Sequence, residues 1–337
     1  MHYLITGHTG FKGAWLSLWL QSLGHEVSGI SLDPIPDSLF DRANVSEVLQ
    51  NDFRIDIRKS DEVKSALSQV NPDVVFHMAA QPLVRESYAD PRYTFETNVM
   101  GTLSLLEAVS NTPSVKAHVV VTTDKVYRNI NQVAGYVESD PLGGFDPYSS
   151  SKAMADLLTQ SWISSFPGTP TTIVRAGNVI GGGDVSKDRL MPDLISAYMN
   201  SNVPTLRYPD SVRPWQHVLD CLNGYLMVSD SLLSGKDHPM MNIGPDKESF
   251  VTVAKVAELV ASELSVDPSW NQSESSEPHE AGLLSLDASL AKKTLGWHDK
   301  LKFTDAVKWT TEWHQRFEQN ESARDITIRQ IENFIYL

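Results

Sequence analysis

The chain has 337 residues, 41% hydrophobic and 21% charged, with a formal net charge of −14. That length exceeds one small core and predicts a large domain with a smaller lobe appended. The acidic balance excludes the basic face that a nucleic-acid or anionic-membrane binder needs, and one cysteine, Cys221, excludes an internal disulfide. Short apolar runs then predict strands at 3–6, 27–32, 73–78, 118–122 and 172–175. Amphipathic helices fall between them, including 14–23, with Trp15, Leu16, Trp19, Leu20 and Leu23 on one face, and 94–109. This alternation is the mark of βαβ units, so the expected class is α/β: a Rossmann-type, doubly wound parallel sheet over residues 1–180, with right-handed crossovers. Past residue 180 prolines punctuate the pattern, a Ser/Glu-rich exposed loop is expected at 267–278, and helices are predicted at 218–233, 252–265, 304–318 and 323–335. Residues 181–337 should form mainly a smaller α/β substrate lobe, with segments such as 215–245 returning to the first domain.

Gly7-His8-Thr9-Gly10-Phe11-Lys12-Gly13 follows the first strand and opens the first helix, where backbone must come close to a pyrophosphate. The helix N-terminus there offers unpaired N–H groups and the positive end of its dipole. The spacing is G-x-x-G-x-x-G rather than the better-known G-x-G-x-x-G, and a turn needing positive φ is the simpler alternative. Asp33, 20 residues after Gly13 at the end of the second strand, suits the adenosine ribose and disfavours a 2′-phosphate, so NAD is expected over NADP; plain turn chemistry explains Asp33-Pro34 equally well. Asp56 and Ile57 are placed beside the adenine, and Ala79, Ala80 and Gln81 beneath the cofactor. Asn98 and Thr122 complete the expected cofactor contacts. No Cys or His cluster has metal-site spacing, so no metal is expected.

Tyr148 and Lys152 stand four apart, on one side of a predicted helix. An ammonium at that distance favours phenolate and lowers the tyrosine pKa, making Tyr148 a base for a sugar hydroxyl and letting Lys152 also hold the nicotinamide ribose. Thr122-Thr123-Asp124-Lys125 falls at the carboxyl end of the fourth apolar strand, where open α/β sheets bind ligands. Thr123 is the third expected member of the hydride site. Asp124 and Lys125 add an acid and a base that a simple alcohol dehydrogenase does not need; a helix cap and a solvated lysine are the alternative.

These segments together make the chain resemble the extended short-chain dehydrogenase/reductases, and among them the CDP-glucose 4,6-dehydratases. The resemblance also rests on Ala79-Ala80-Gln81-Pro82-Leu83-Val84-Arg85, Asp146-Pro147-Tyr148, the run from Arg175 to Asp184, Arg213-Pro214-Trp215-Gln216-His217-Val218, and His279-Glu280-Ala281 leading to Leu295-Gly296-Trp297. It implies C4 oxidation of a nucleotide-diphosphate hexose, elimination of water across C5 and C6, and hydride return to C6, with NAD regenerated each turnover. A nucleotide-sugar 4-epimerase, or a dehydratase of another nucleotide hexose, is the alternative. By the same resemblance Asn178 lies near the sugar-phosphate, Arg189 and Arg213 toward the pyrophosphate, and His217 near them; a surface ion pair is the plainer reading of Arg213 and a core histidine that of His217. A homodimer or higher homo-oligomer, built through helices near 94–109 and 148–166, is also implied. The expected setting is the cytoplasm, because the first residues lack a signal peptide's pattern and no apolar run has bilayer length.

Overall fold

The computed structural model describes residues 1–132, 134–273 and 284–337. Twelve strands occur among them: β1 (His2–Thr6), β2 (Glu26–Ser31), β3 (Asn51–Arg54), β4 (Val74–His77), β5 (Ala117–Val121), β6 (Thr171–Ala176), β7 (Asn178–Ile180), β8 (Thr205–Leu206), β9 (Val212–His217), β10 (Met240–Ile243), β11 (Phe250–Thr252) and β12 (Asn271–Gln272). Seven form one sheet in the order β10-β6-β5-β4-β1-β2-β3, and every pairing in it is parallel. The chain runs outward from β1 to β3, then returns across β1 to lay down β4. That reversal leaves a crevice at the carboxyl ends of β1 and β4, where such sheets bind ligands.

Side chains on a strand alternate between faces, and the sequence uses this to fill two layers. Tyr3 and Ile5 of β1, with Phe76, Val119 and Val174, face a core shared with Trp15, Leu16 and Trp19 of the Phe11–Ser22 helix and with the Val218–Leu233 helix. Leu4, Ile30 and Val75 face the opposite way, against Val63 and Leu67 of the Ser60–Val70 helix and Leu105 of the Gly101–Ser110 helix. The Phe303–Glu318 and Ala323–Ile335 helices close the first layer, with Trp19 edge-on to Phe334 at 5.6 Å between ring centroids. Beyond β6, the short sheets β11-β9-β7 and β12-β8 and the Leu190–Met199 and Val253–Glu263 helices surround a separate apolar cluster that includes Leu194, Tyr198, Trp215 and Val256.

The expected strands and most helices are present within a few residues. The helix expected at 94–109 differs. It is an α-helix at Pro91–Phe95, a π-turn at Glu96–Met100 and a second α-helix at Gly101–Ser110. The expected loop at 267–278 contains β12, which pairs with β8, and its part beyond Ser273 lies outside the described residues, as does His279-Glu280-Ala281. Among the described residues no helix is long and apolar enough to cross a membrane.

Candidate active site

A cleft of about 610 Å³ opens at the carboxyl ends of β1, β4, β5 and β6. Its floor begins where β1 turns into the Phe11–Ser22 helix. Gly7 has φ +77°, and a Cβ there would lie 2.8 Å from the Ala79 nitrogen. A Cβ on Gly13 would lie 2.2 Å from the Gly7 carbonyl oxygen. Only hydrogen fits at either position, so the loop sits pressed onto the Met78–Ala79 backbone. Gly10 caps the helix without a side-chain hydrogen bond, which leaves first-turn N–H groups available at the cleft. Thr9 ties the loop to the end of β2, with its hydroxyl 2.7 Å from Ser31 Oγ and donating to the Leu32 carbonyl at 3.1 Å.

Asp33, highly exposed at the rim, stands 3.9 Å from Arg54, and Asp56 and Ile57 line the cleft beside it. Hydrogen bonding by Arg58 holds the Asp56 carboxyl below its ordinary pKa. Ala79, Ala80, Thr122 and Phe11 are also on the wall. Lys12 is on the wall as well, its Nζ donating to the Tyr225 hydroxyl at 3.1 Å.

Asp146 accepts from the backbone N–H of Ser149 and Pro147 follows it, so the Pro147–Ser165 helix starts with a strong cap and a preset φ. Tyr148 and Lys152 consequently occupy its first turns and both face the cleft. Among the described residues no hydrogen bond joins the two. Lys152 Nζ donates to the Val121 carbonyl at 2.8 Å, and its pKa falls to about 7 through burial first and the Lys12 ammonium second. Tyr148, expected to be shifted toward phenolate, is pushed up to about 12 by burial, against the pull of its hydrogen bond to Thr123 and of the Arg189 charge. Burial outweighs those two pulls, and the nearby Asp124 and Asp146 carboxylates push the same way as burial.

Thr123 donates from Oγ1 to Asp124 Oδ1 at 2.9 Å, forming a short line Tyr148–Thr123–Asp124. Asp124 is 1% exposed, and its Oδ2 has no hydrogen-bond partner among the described residues. Lys125 follows on the cleft wall in a single 3₁₀ turn. An unsatisfied carboxylate oxygen, an amine and a phenol thus converge at one edge of the cleft. Asn178, Arg189 and Arg213 also line the cleft, with Arg213 Nη1 donating to the Val212 carbonyl at 2.9 Å.

Three expected contacts are not on the wall. His217 is fully buried, caps the Val218–Leu233 helix by accepting from Leu219 N, and packs edge-on between Trp15 and Trp309; burial lowers its pKa to about 3. It is a core histidine and not a substrate ligand. Gln81 and Asn98 lie behind the cofactor wall, with Asn98 Oδ1 accepting from Gln81 N at 2.8 Å and Asn98 Nδ2 donating to Ser151 Oγ at 2.8 Å. They brace the wall instead of touching the cleft. The sequence reading missed Arg85, Arg207 and Thr97, all on the wall. Arg85 closes a segment already singled out at Ala79, and the buried Thr97 hydroxyl, without a partner among the described residues, sits in the π-turn, a feature with no periodic signal.

The residues fit a dinucleotide on their own evidence: a glycine floor that no Cβ can enter, open N–H groups at a helix start, and an acidic group at the ribose position. Comparison with known proteins agrees. Residues 3–244 match the family described as NAD dependent epimerase/dehydratase. The chain is 41% identical to a CDP-glucose 4,6-dehydratase of Salmonella typhimurium over 98% of its own length and 95% of the relative's. It is 26% identical to a dTDP-glucose 4,6-dehydratase of the same organism, over 93% and 92%. A solved dTDP-glucose 4,6-dehydratase, DesIV of Streptomyces venezuelae with NAD bound, superposes with a TM-score of 0.82 at 25% identity, covering 95% of this chain and 98% of that one. A UDP-glucose 4-epimerase of Thermotoga maritima shares the fold, with a TM-score of 0.82 at 21% identity over 94% and 100%. With that glycine floor, that tyrosine and lysine and these relatives, the chain belongs to the NAD dependent epimerase/dehydratase family.

Proposed function

We propose that the chain is a nucleotide-sugar 4,6-dehydratase, a hydro-lyase converting CDP-glucose to CDP-4-keto-6-deoxyglucose. The observation that carries this reading is Asp124 and Lys125 sharing one cleft edge with Tyr148 and Lys152. Redox exchange at C4 needs only the latter pair; loss of water needs the former as well.

NAD, when bound, would supply the hydride-accepting and hydride-donating chemistry that oxidation at C4 and reduction at C6 require. Tyr148 takes the C4 hydroxyl proton as a phenolate, with Thr123 hydrogen-bonding at the same point. Burial opposes that form, and the positive charge of bound NAD, together with Lys152 when protonated, would favour it. The C4 ketone acidifies the C5 proton. Lys125 removes that proton as Asp124 donates one to the C6 hydroxyl leaving as water; when hydride reaches C6, Lys125 returns its proton to C5, and the proton Tyr148 took from the C4 hydroxyl restores Asp124. The arginines Arg189 and Arg213 pair with the diphosphate oxygens, a task their planar forks suit, and Asn178 holds the sugar-phosphate. Gly7, Thr9, Gly10, Phe11, Lys12, Gly13, Asp33, Asp56, Ile57, Ala79, Ala80 and Thr122 are the cofactor's contacts in this reading. Residues 1–180, with later segments returning to the sheet, form the cofactor domain and the rest mainly the substrate lobe. Exposed Met100, Met154 and Leu157 support a homodimer through the helices that carry them, which light scattering tests. A reducing, cytoplasmic setting fits the single buried thiol of Cys221.

Incubation with CDP-glucose should give a product lighter by one water. An isomer of unchanged mass would instead identify a 4-epimerase. Parallel dTDP-, GDP- and UDP-hexose incubations test the nucleobase.

A further inference from the structure

Behind the cleft wall runs a line of buried polar groups that the proposed chemistry does not use. His77, at the end of β4, lies between Thr6 of β1 and Thr102 of the Gly101–Ser110 helix. Its Nδ1 is 2.8 Å from Thr6 Oγ1 and its Nε2 2.9 Å from Thr102 Oγ1. The Thr102 hydroxyl donates to the Asn98 carbonyl at 2.7 Å, so its oxygen is left to accept from His77 Nε2–H. His77 Nδ1 then accepts from the Thr6 hydroxyl, which turns the lone pairs of Thr6 Oγ1 toward two backbone donors, Met78 N at 3.2 Å and Ala79 N at 3.1 Å. Burial, with Lys152 and His118 nearby, holds the His77 pKa well below the ordinary value, so the ring stays neutral. That same Ala79 nitrogen is the atom a Cβ on Gly7 would strike at 2.8 Å.

We propose that His77 is a positioning residue for the cofactor: its Nδ1 orients the Thr6 hydroxyl, which pins the Met78–Ala79 backbone beneath Gly7 and so sets the seat of the pyrophosphate. The two arms of the ring have different duties. The Thr6 arm shapes the floor of the cleft, and the Thr102 arm fixes the tautomer. This inference depends on NAD as cofactor, which the family supplies, and is independent of which sugar nucleotide is the substrate.

Two substitutions separate the arms. In His77→Asn the side-chain oxygen falls near the Nδ1 position and keeps the Thr6 bond, with nothing in place of Nε2. In His77→Gln the amide reaches toward Thr102 and leaves Thr6 without its acceptor. Both lose ring packing and should melt at similarly lowered temperatures. NAD affinity, measured by isothermal titration calorimetry on the full chain, should stay within about threefold of wild type in His77→Asn and weaken about tenfold or more in His77→Gln. Thr6→Ser should keep wild-type affinity, while Thr6→Val, isosteric but without the hydroxyl, should weaken it about tenfold. Should a histidine variant fail to fold, the Thr6 pair decides alone. Equal losses in the two histidine variants, or wild-type affinity in Thr6→Val, would overturn the proposal.

Discussion

Replacing Gly13 by alanine should break cofactor binding and weaken the fold at once, whereas the same change at Gly10 should do only the first. At Gly13 the new methyl would lie 2.2 Å from the Gly7 carbonyl oxygen, 2.6 Å from the His8 Cα and 2.9 Å from the Gly7 carbonyl carbon. All three are backbone atoms, so no side-chain rotation relieves the clash, and the loop must lift from the Phe11–Ser22 helix. Overpacking of that kind costs about 2–3 kcal/mol, equivalent to a fall of about 3–4 °C in melting temperature for a chain of this size. At Gly10 a methyl meets only the Gly7 carbonyl oxygen at 3.3 Å. Gly10 lines the cleft, so the methyl takes room from the cofactor without straining the protein. Differential scanning fluorimetry and NAD titration on both variants separate the effects. Affinity should fall about tenfold or more in each, and only Gly13→Ala should melt early. Wild-type melting and wild-type affinity in Gly13→Ala would refute the reading of this loop as a pyrophosphate floor.

Tyr148→Phe should lower turnover by about 10²–10⁴-fold, the worth of a positioned acid–base group, while calorimetry finds NAD binding retained. Lys125→Ala should still oxidise C4, so mixing it with CDP-glucose in a stopped-flow instrument should build up NADH absorbance without dehydrated product; a flat trace contradicts the division of labour between the two pairs. Acid should unfold the chain steeply. Burial holds His118 and His217 at about 3, His314 at about 4 and His77 well below its ordinary 6.5. Their folded-state pKa values lie below the unfolded ones, so the stability they permit is intact above pH 6.5 and is lost as pH falls from there toward 3. Asp220, raised to about 7 by burial, opposes them by releasing a proton on unfolding in the same window. The buried histidines outnumber it, so unfolding takes up protons on balance and stability falls as the medium turns acid. Chemical denaturation at pH 7 and pH 5.5 checks this, and equal stabilities would contradict it.

Most of the sheet was legible because buried parallel strands are short apolar runs, and β1, β2, β4, β5 and β6 each read that way. The edge strand β3, Asn51–Arg54, is polar and only partly buried, so it carries no such pattern. Strand β10 was hidden for another reason: Met240–Ile243 joins the sheet only through pairing with Thr171–Ala176, more than sixty residues earlier. At the site, chain spacing placed Tyr148 and Lys152 on one side of a helix but could not say where the ammonium would point. Its partner, the Val121 carbonyl, lies on a neighbouring strand. His217 failed in the same way, since the indoles that enclose it come from Trp15 and Trp309, at nearly opposite ends of the chain. Local motifs thus located the chemistry, and long-range packing decided which side chains reach it.

Deuterium placed at C4 of CDP-glucose follows the hydride itself through one catalytic cycle. Mass spectrometry and NMR of the product should find the label at C6 of a 4-keto-6-deoxy sugar, carried there within a single active site. Label recovered at C4 of an isomeric hexose, or lost to the medium, would contradict the dehydratase account.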